Sequence, residues 1–182
     1  MTTQNKYKEK LSQDEFIKRY DNGVKDFSNL DLSDLDLAGL ELKGYDFSYS
    51  NLTGVNLCGS SIMCSDFSFT LLIRARMVKC EGFETNISHS DLSNATLWNA
   101  YIANSNFSYS NFSYCNCSNA NIGGSDISFS DFYSAVFEYS DYNDLDGCNM
   151  YKTIFNDQML DACTIWVYEK QLSLRNILNR KV

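Results

Sequence analysis

Residues 46–70, read in fives as DFSYS NLTGV NLCGS SIMCS DFSFT, decide the fold of this chain. The second place of every block is a large apolar residue: Phe47, Leu52, Leu57, Ile62, Phe67. The first place is Asp or Asn in four of the five blocks, and the last is Ser, Val or Thr. The same register extends outward from Phe27 to Tyr142 with one lapse, at Gly82. Side chains repeat every 3.6 residues in a helix and every 2 in a strand, so a period of five belongs to neither.

The unit, a small residue, then Asp or Asn, then an apolar centre and two variable residues, resembles the repeat of the pentapeptide-repeat family. The resemblance implies an all-β solenoid, a right-handed quadrilateral β-helix of about six to seven coils of twenty residues, with short helical caps at both ends. The residues support a turn of twenty independently, because close packing couples the sizes of stacked neighbours. Phe27, Phe47, Phe67, Ile87, Phe107 and Ile127 form one such column, and Leu32, Leu52, Leu72, Leu92, Phe112 and Phe132 the next.

An array of stacked coils needs its ends covered. Three segments follow: a capping segment over 1–24, a repeat body over 25–166 whose register slips by three near 143–149, and a helix over 167–182. Ser12-Gln13-Asp14-Glu15 reads as a capping box with Leu11 and Phe16 as its hydrophobic staple, predicting a helix from Gln13 to Asp21 that stops at Asn22-Gly23. Leu174, Ile177 and Leu178 stand at helical spacing near the other end. In family members that protect topoisomerases a C-terminal apolar element also forms a dimer, so the resemblance adds a homodimer contact through Trp166, Leu174, Ile177 and Leu178.

Charge is unevenly distributed. Residues 26–151 hold sixteen acidic and four basic groups, and from Cys80 to Tyr151 there are nine acids with no Lys or Arg. At about 4.8 Å per coil those nine charges lie roughly 1.9 Å apart, close to the one per about 1.7 Å of duplex DNA. Quinolone-resistance members of the family are regarded as DNA mimics, so the resemblance suggests an acidic surface of Asp46, Asp66, Asp91, Asp126, Asp131, Glu138, Asp141, Asp144 and Asp146. The other reading of the same residues is turn chemistry and solubility.

Two departures go beyond what the repeat requires. Tyr49, Phe69, His89, Tyr109 and Phe129 stand twenty apart at an outward position, predicting a ladder of rings that is either a contact surface or a stiffened corner. Leu71–Phe83, LLIRARMVKCEGF, places Leu71 and Arg76 at Asp or Asn sites and holds three of the body's four basic residues. It reads as a protruding loop or a distorted coil.

No catalytic, cofactor or metal residues are assigned. The chain has one His, no Gly-rich phosphate loop and no zinc-ligand spacing, and most of the seven Cys fall on small or central sites of the register, where they act as small hydrophobes. The charge argues against direct nucleic-acid binding, no run is long enough to span a membrane, and the start MTTQNKYKEKLSQ lacks a secretory signal's apolar core, giving a cytoplasmic expectation. The chain therefore reads as a non-enzymatic, protein-binding rod. One version is an acidic mimic that engages DNA gyrase or topoisomerase IV; the alternative is a scaffold that uses the aromatic ladder.

Overall fold

The computed structural model describes residues 7–137, 148–150 and 153–154 in full, and the backbone of 164–167 and 170–173. Asp26, Asp31, Asp36 and Glu41 each bridge in parallel to the residue twenty further on, and those partners bridge again to Asp66, Leu71, Arg76 and Glu81. One coil is thus twenty residues, with four bridge positions separated by four turns. In each bridge one N–H points down and the next up: Asp46 donates to the Lys25 carbonyl (2.9 Å) and Phe47 to the Asp66 carbonyl (2.7 Å). These contacts are single bridges rather than runs of strand, because a five-residue period leaves little chain between one turn and the next.

The apolar centres fill the interior. Phe47 and Phe67 are fully buried with ring centroids 4.8 Å apart, and Phe112 and Phe132 lie 4.4 Å apart. The inward small residues do more than save space. Ser90 Oγ donates to the Phe67 carbonyl (2.7 Å) and accepts from the Thr70 N–H (3.2 Å); Ser110 does the same to Ile87 (2.7 Å) and from Ser90 (3.3 Å). Each of these two hydroxyls joins two backbone groups of the coil below at a turn, a buried place where polar groups need partners.

Helix α1, Gln13–Asp21, closes the first coil. Ser12 Oγ accepts from the Glu15 N–H (3.3 Å), but Glu15 turns its carboxylate to Arg19 (3.1 Å), so the capping box is only half made. Phe16 plugs the open end against Phe27, 4.6 Å between centroids. Lys10 bridges Asp31, and the Gln13 side-chain amide exchanges two 2.8 Å hydrogen bonds with the Asp36 backbone, so the edge of the first coil is paired on two sides. Gly23, with φ +76°, ends the helix.

Two expectations are corrected, and the lapse at Gly82 is explained. Leu71, Arg76 and Glu81 each bridge to the coils below and above, so Leu71–Phe83 is neither a protruding loop nor a distorted coil. Backbone groups alone make the pairing, and changing the side chain at the Asp or Asn site leaves it intact. Gly82 is a fitted core residue: a Cβ there would stand 2.9 Å from Ile102 Cγ2 and 3.0 Å from Ile62 Cγ1, because those neighbours already occupy the space. Beyond the body, Thr164–Val167 (β1) pairs antiparallel with Lys170–Ser173 (β2), so a strand stands where the helix over 167–182 is expected to begin. The β-branched and aromatic run Thr-Ile-Trp-Val favours that pairing.

From Asp126 the bridge offset grows from twenty to twenty-three, with Asp126 pairing to Asn149 and Asp131 to Ile154. Three residues are inserted without loss of parallel stacking. Glu138, Asp141, Asp144, Asp146, Leu174, Ile177, Leu178 and the Trp166 side chain lie outside the described residues.

Candidate functional site

The five outward rings form one continuous stack. Successive centroids from Tyr49 through Phe69, His89 and Tyr109 to Phe129 are 4.8, 4.5, 4.7 and 4.5 Å apart, with planes within 4° of parallel. The spacing is set by the coil rise, since each ring stands on the same turn of its own coil. All five have φ between 58° and 61°, the left-handed region, and among the four Tyr and Phe exposure runs from 38% at Phe129 to 52% at Tyr109. A left-handed L-residue costs roughly 1 to 2 kcal/mol, while an aromatic pair contributes about 0.5 to 1.5 kcal/mol beyond its buried area. Four pairs and the half-burial of each ring are of the same order as the cost of five such turns, so stability alone does not select rings over the Gly or Asn used at equivalent turns, such as Gly54, Gly59, Asn94 and Asn99.

The orientation of the stack decides what it offers. Ring faces are occupied by the neighbouring rings, and a partner meets ring edges, where the quadrupole is positive, together with the Tyr hydroxyls.

The five acidic site residues that the structure describes, Asp46, Asp66, Asp91, Asp126 and Asp131, are all half-buried and all hold a turn. Asp66 Oδ1 accepts from the Ser68 N–H (2.8 Å) and from Asn86 Nδ2 (3.1 Å); Asp91 Oδ1 from Ser93 (2.9 Å) and Asn111 (3.1 Å); Asp126 Oδ1 from Ser128 (2.9 Å) and Asn149 (3.2 Å). Asp46 and Asp131 accept from the N–H two residues on, each at 2.8 Å. One carboxylate oxygen of each is committed to the backbone, as in an Asx turn. Asp26 shows the electrostatic result: hydrogen bonds from the Ser28 backbone and hydroxyl hold its carboxyl below the ordinary value of 3.8.

A second surface stands two turns further round the coil, where two exposed rings that the sequence reading leaves out adjoin the basic run Leu71–Phe83. Trp98 is 43% exposed and Tyr101 49%. In the coil below, Arg74, Arg76 and Lys79 are exposed, with the Lys79 N–H donating to the Trp98 carbonyl (3.1 Å). Among the described residues the ion pairs are those of Arg19 with Glu9 and Glu15, and these three cations make none. Tyr101 occupies an Asp or Asn position of the repeat, and that substitution is the signal by which this surface was legible.

The thiols divide by position. Cys64 is exposed, whereas burial pushes the Cys80 thiol up to about 12, despite its contact with Ser60 at 3.6 Å.

The model of the family described as pentapeptide repeats matches the chain in eight copies over residues 26–62, 60–99 and 100–138. A pentapeptide repeat protein of the Arabidopsis thaliana thylakoid lumen is 19% identical over 74% of this chain and 91% of its own, with a TM-score of 0.52. The pentapeptide repeat protein alr5209 of Nostoc PCC 7120 is 24% identical, covering 81% of this chain and 99% of its own, with a TM-score of 0.39. QnrB1, a plasmid-mediated fluoroquinolone resistance protein, is 18% identical over 84% of this chain and 87% of its own, at a TM-score of 0.33. The first of these likenesses bears on the fold, and none bears on a partner. No curated protein matches the chain.

Proposed function

The chain belongs to the pentapeptide-repeat family, and from that premise we propose that it is a non-catalytic rod, a right-handed four-sided β-helix, that binds another protein through the turn bearing Tyr49, Phe69, His89, Tyr109 and Phe129. One observation carries this reading: five stacked, half-exposed rings occupy left-handed turns of the kind that Gly or Asn fill elsewhere in the rod. Aromatic side chains held rigid before contact lose little entropy on binding and are common at interface hot spots. Replacing Tyr49, Phe69 and Tyr109 together by Ala removes partner capture from a cell lysate at low and at high salt. Capture that survives the triple substitution sinks the proposal.

The second reading is the acidic DNA mimic directed at DNA gyrase or topoisomerase IV, favoured by nine acids without a Lys or Arg from Cys80 to Tyr151. Such binding weakens steeply with salt. In that case charge reversal at Asp126, Asp131 and Asp141 abolishes an effect of the protein on gyrase supercoiling or its quinolone sensitivity. Asp126 and Asp131 also hold turns, so Asn variants, which keep the acceptor and lose the charge, separate electrostatics from folding. A homodimer through Trp166, Leu174, Ile177 and Leu178 and a cytoplasmic location belong to the same proposal. Sedimentation of the chain with and without residues 164–182 tests the dimer, and cell fractionation the location.

A further inference from the structure

We propose that Arg74, Arg76, Lys79, Trp98 and Tyr101 form a second docking surface, separate from the ladder, whose occupant is a short acidic protein segment with interspersed apolar residues. The argument starts from the coil that breaks the repeat. At positions 71 and 76 the Asp or Asn that accepts the N–H two residues on is replaced by Leu and Arg, which cannot accept it. Arg74 and Lys79 stand in left-handed turns, φ 58° and 56°, that Gly54, Gly59, Asn94 and Asn99 fill in the coils below and above. The bridges remain in register all the same, as they do where Ser61, Glu81, Thr96 and Tyr101 stand at the same site and where Cys64 and Glu84 fill left-handed turns. What sets this coil apart is its chemistry: three of the four basic residues of 26–151 are gathered here, all exposed, on a rod that is otherwise acidic.

The chemistry of the patch follows from its composition. Arg, Trp and Tyr are the residue types enriched at interface hot spots, and half-buried Val78 adjoins them between Arg76 and Lys79. The three cations have no carboxylate partner among the described residues. Glu81 and Glu84 continue the same coil, confining the positive charge to two of its four turns. Over residues 26–151 as a whole, sixteen acids stand against one further cation, Lys43. An acidic segment is repelled along most of the rod and has one place to settle, which is how repulsion generates specificity. A nucleic acid carries its charge continuously and would lie along the acid coils as well as this one.

The test uses the full chain and a fluorescein-labelled Glu-rich peptide with interspersed Leu, titrated by anisotropy. A charge-inverted Lys-rich peptide, single-stranded DNA and phosphatidylserine vesicles serve as comparisons. The Glu-rich peptide binds in a salt-sensitive manner and quenches or shifts Trp98 emission. Arg74→Glu, Arg76→Glu and Lys79→Glu together weaken it about tenfold or more, and Trp98→Ala weakens it at unchanged salt dependence, with the thermal midpoint of each variant confirming the fold. The Tyr49, Phe69 and Tyr109 Ala variant binds the peptide normally, so loss of ladder function and loss of this surface are told apart. Absent peptide binding, binding unaltered by the triple reversal, preference for DNA or vesicles, or self-association of the chain through these residues each overturns the proposal.

Discussion

The ring ladder and the coil from Leu71 to Phe83 are both irregularities of a regular molecule, but they run in perpendicular directions. The ladder is a column: one outward position carries a ring in five successive coils, each within 4.8 Å of the next. The cationic coil is a row, with Leu71, Arg74, Arg76, Lys79 and Gly82 changed together in one coil; all but position 76, where Thr96 follows, return to the repeat in the coils on either side. A column interacts with itself, so part of its conservation of type within the chain has a structural cause. A row has no neighbour like itself, and its side chains gain nothing from stacking. Hence an irregular row points more directly to something outside the molecule than a column of the same size.

The contrast breaks or sharpens under substitution, and the largest effect lies in the inner column behind the ladder. Phe67→Ala opens a void against Phe47 and is expected to lower unfolding free energy by about 3 to 5 kcal/mol in a denaturant titration. A smaller loss refutes a tightly coupled column. Next comes Gly82→Leu, which restores the repeat inside the row. It is expected to destabilise by about 1 to 3 kcal/mol, because Ile62 and Ile102 already fill the site; a gain in stability means that the row is a mere lapse of the repeat.

Phe69→Asn comes third. Loss of two stacking contacts and relief of a left-handed aromatic nearly cancel, so stability stays within about 0.5 to 1 kcal/mol while ladder-dependent binding falls. The least effect is that of Asp26→Asn. Since its carboxyl is held below 3.8, the contribution of Asp26 is fully present above that value and fades as pH falls through the lowered one. The Asn variant keeps the acceptor for Ser28 and loses this acid dependence, seen as a shallower fall of the thermal midpoint in acid. Thiol labelling provides a check on burial: Cys64 reacts in the folded chain, and Cys80 only on unfolding.

Much of the site was legible because the period is strict. Once five residues make a side and twenty a coil, Tyr49, Phe69, His89, Tyr109 and Phe129 must stand over one another, and Phe47, Phe67 and Phe107 must point inward. Helix α1 was legible from Ser12, Phe16 and Gly23 for a different reason: capping is local chemistry. Turn acids were harder to read. The sequence left turn chemistry and mimicry open for Asp66 and Asp126, and side-chain placement puts Oδ1 of each on the Ser N–H two residues on. The run Leu71–Phe83 misled because pattern breaks resemble loops, whereas parallel pairing uses backbone groups and tolerates any side chain at the bridge position. Over Lys170–Ser173 the helical spacing of Leu174, Ile177 and Leu178 was extended too far toward a β-branched run.

The repeat by itself therefore determined the coil, the inward set and the outward columns, because each depends only on how many residues make one turn. Tertiary structure alone decided which carboxylates are held by Ser N–H groups and Asn amides, why Gly82 fits between two isoleucines, and that Trp98 lies beside Lys79. The Ser bonds close a turn within one coil, and the Asn amides, the isoleucines and Trp98 reach across to the next coil; all of them depend on side-chain placement that periodicity does not specify.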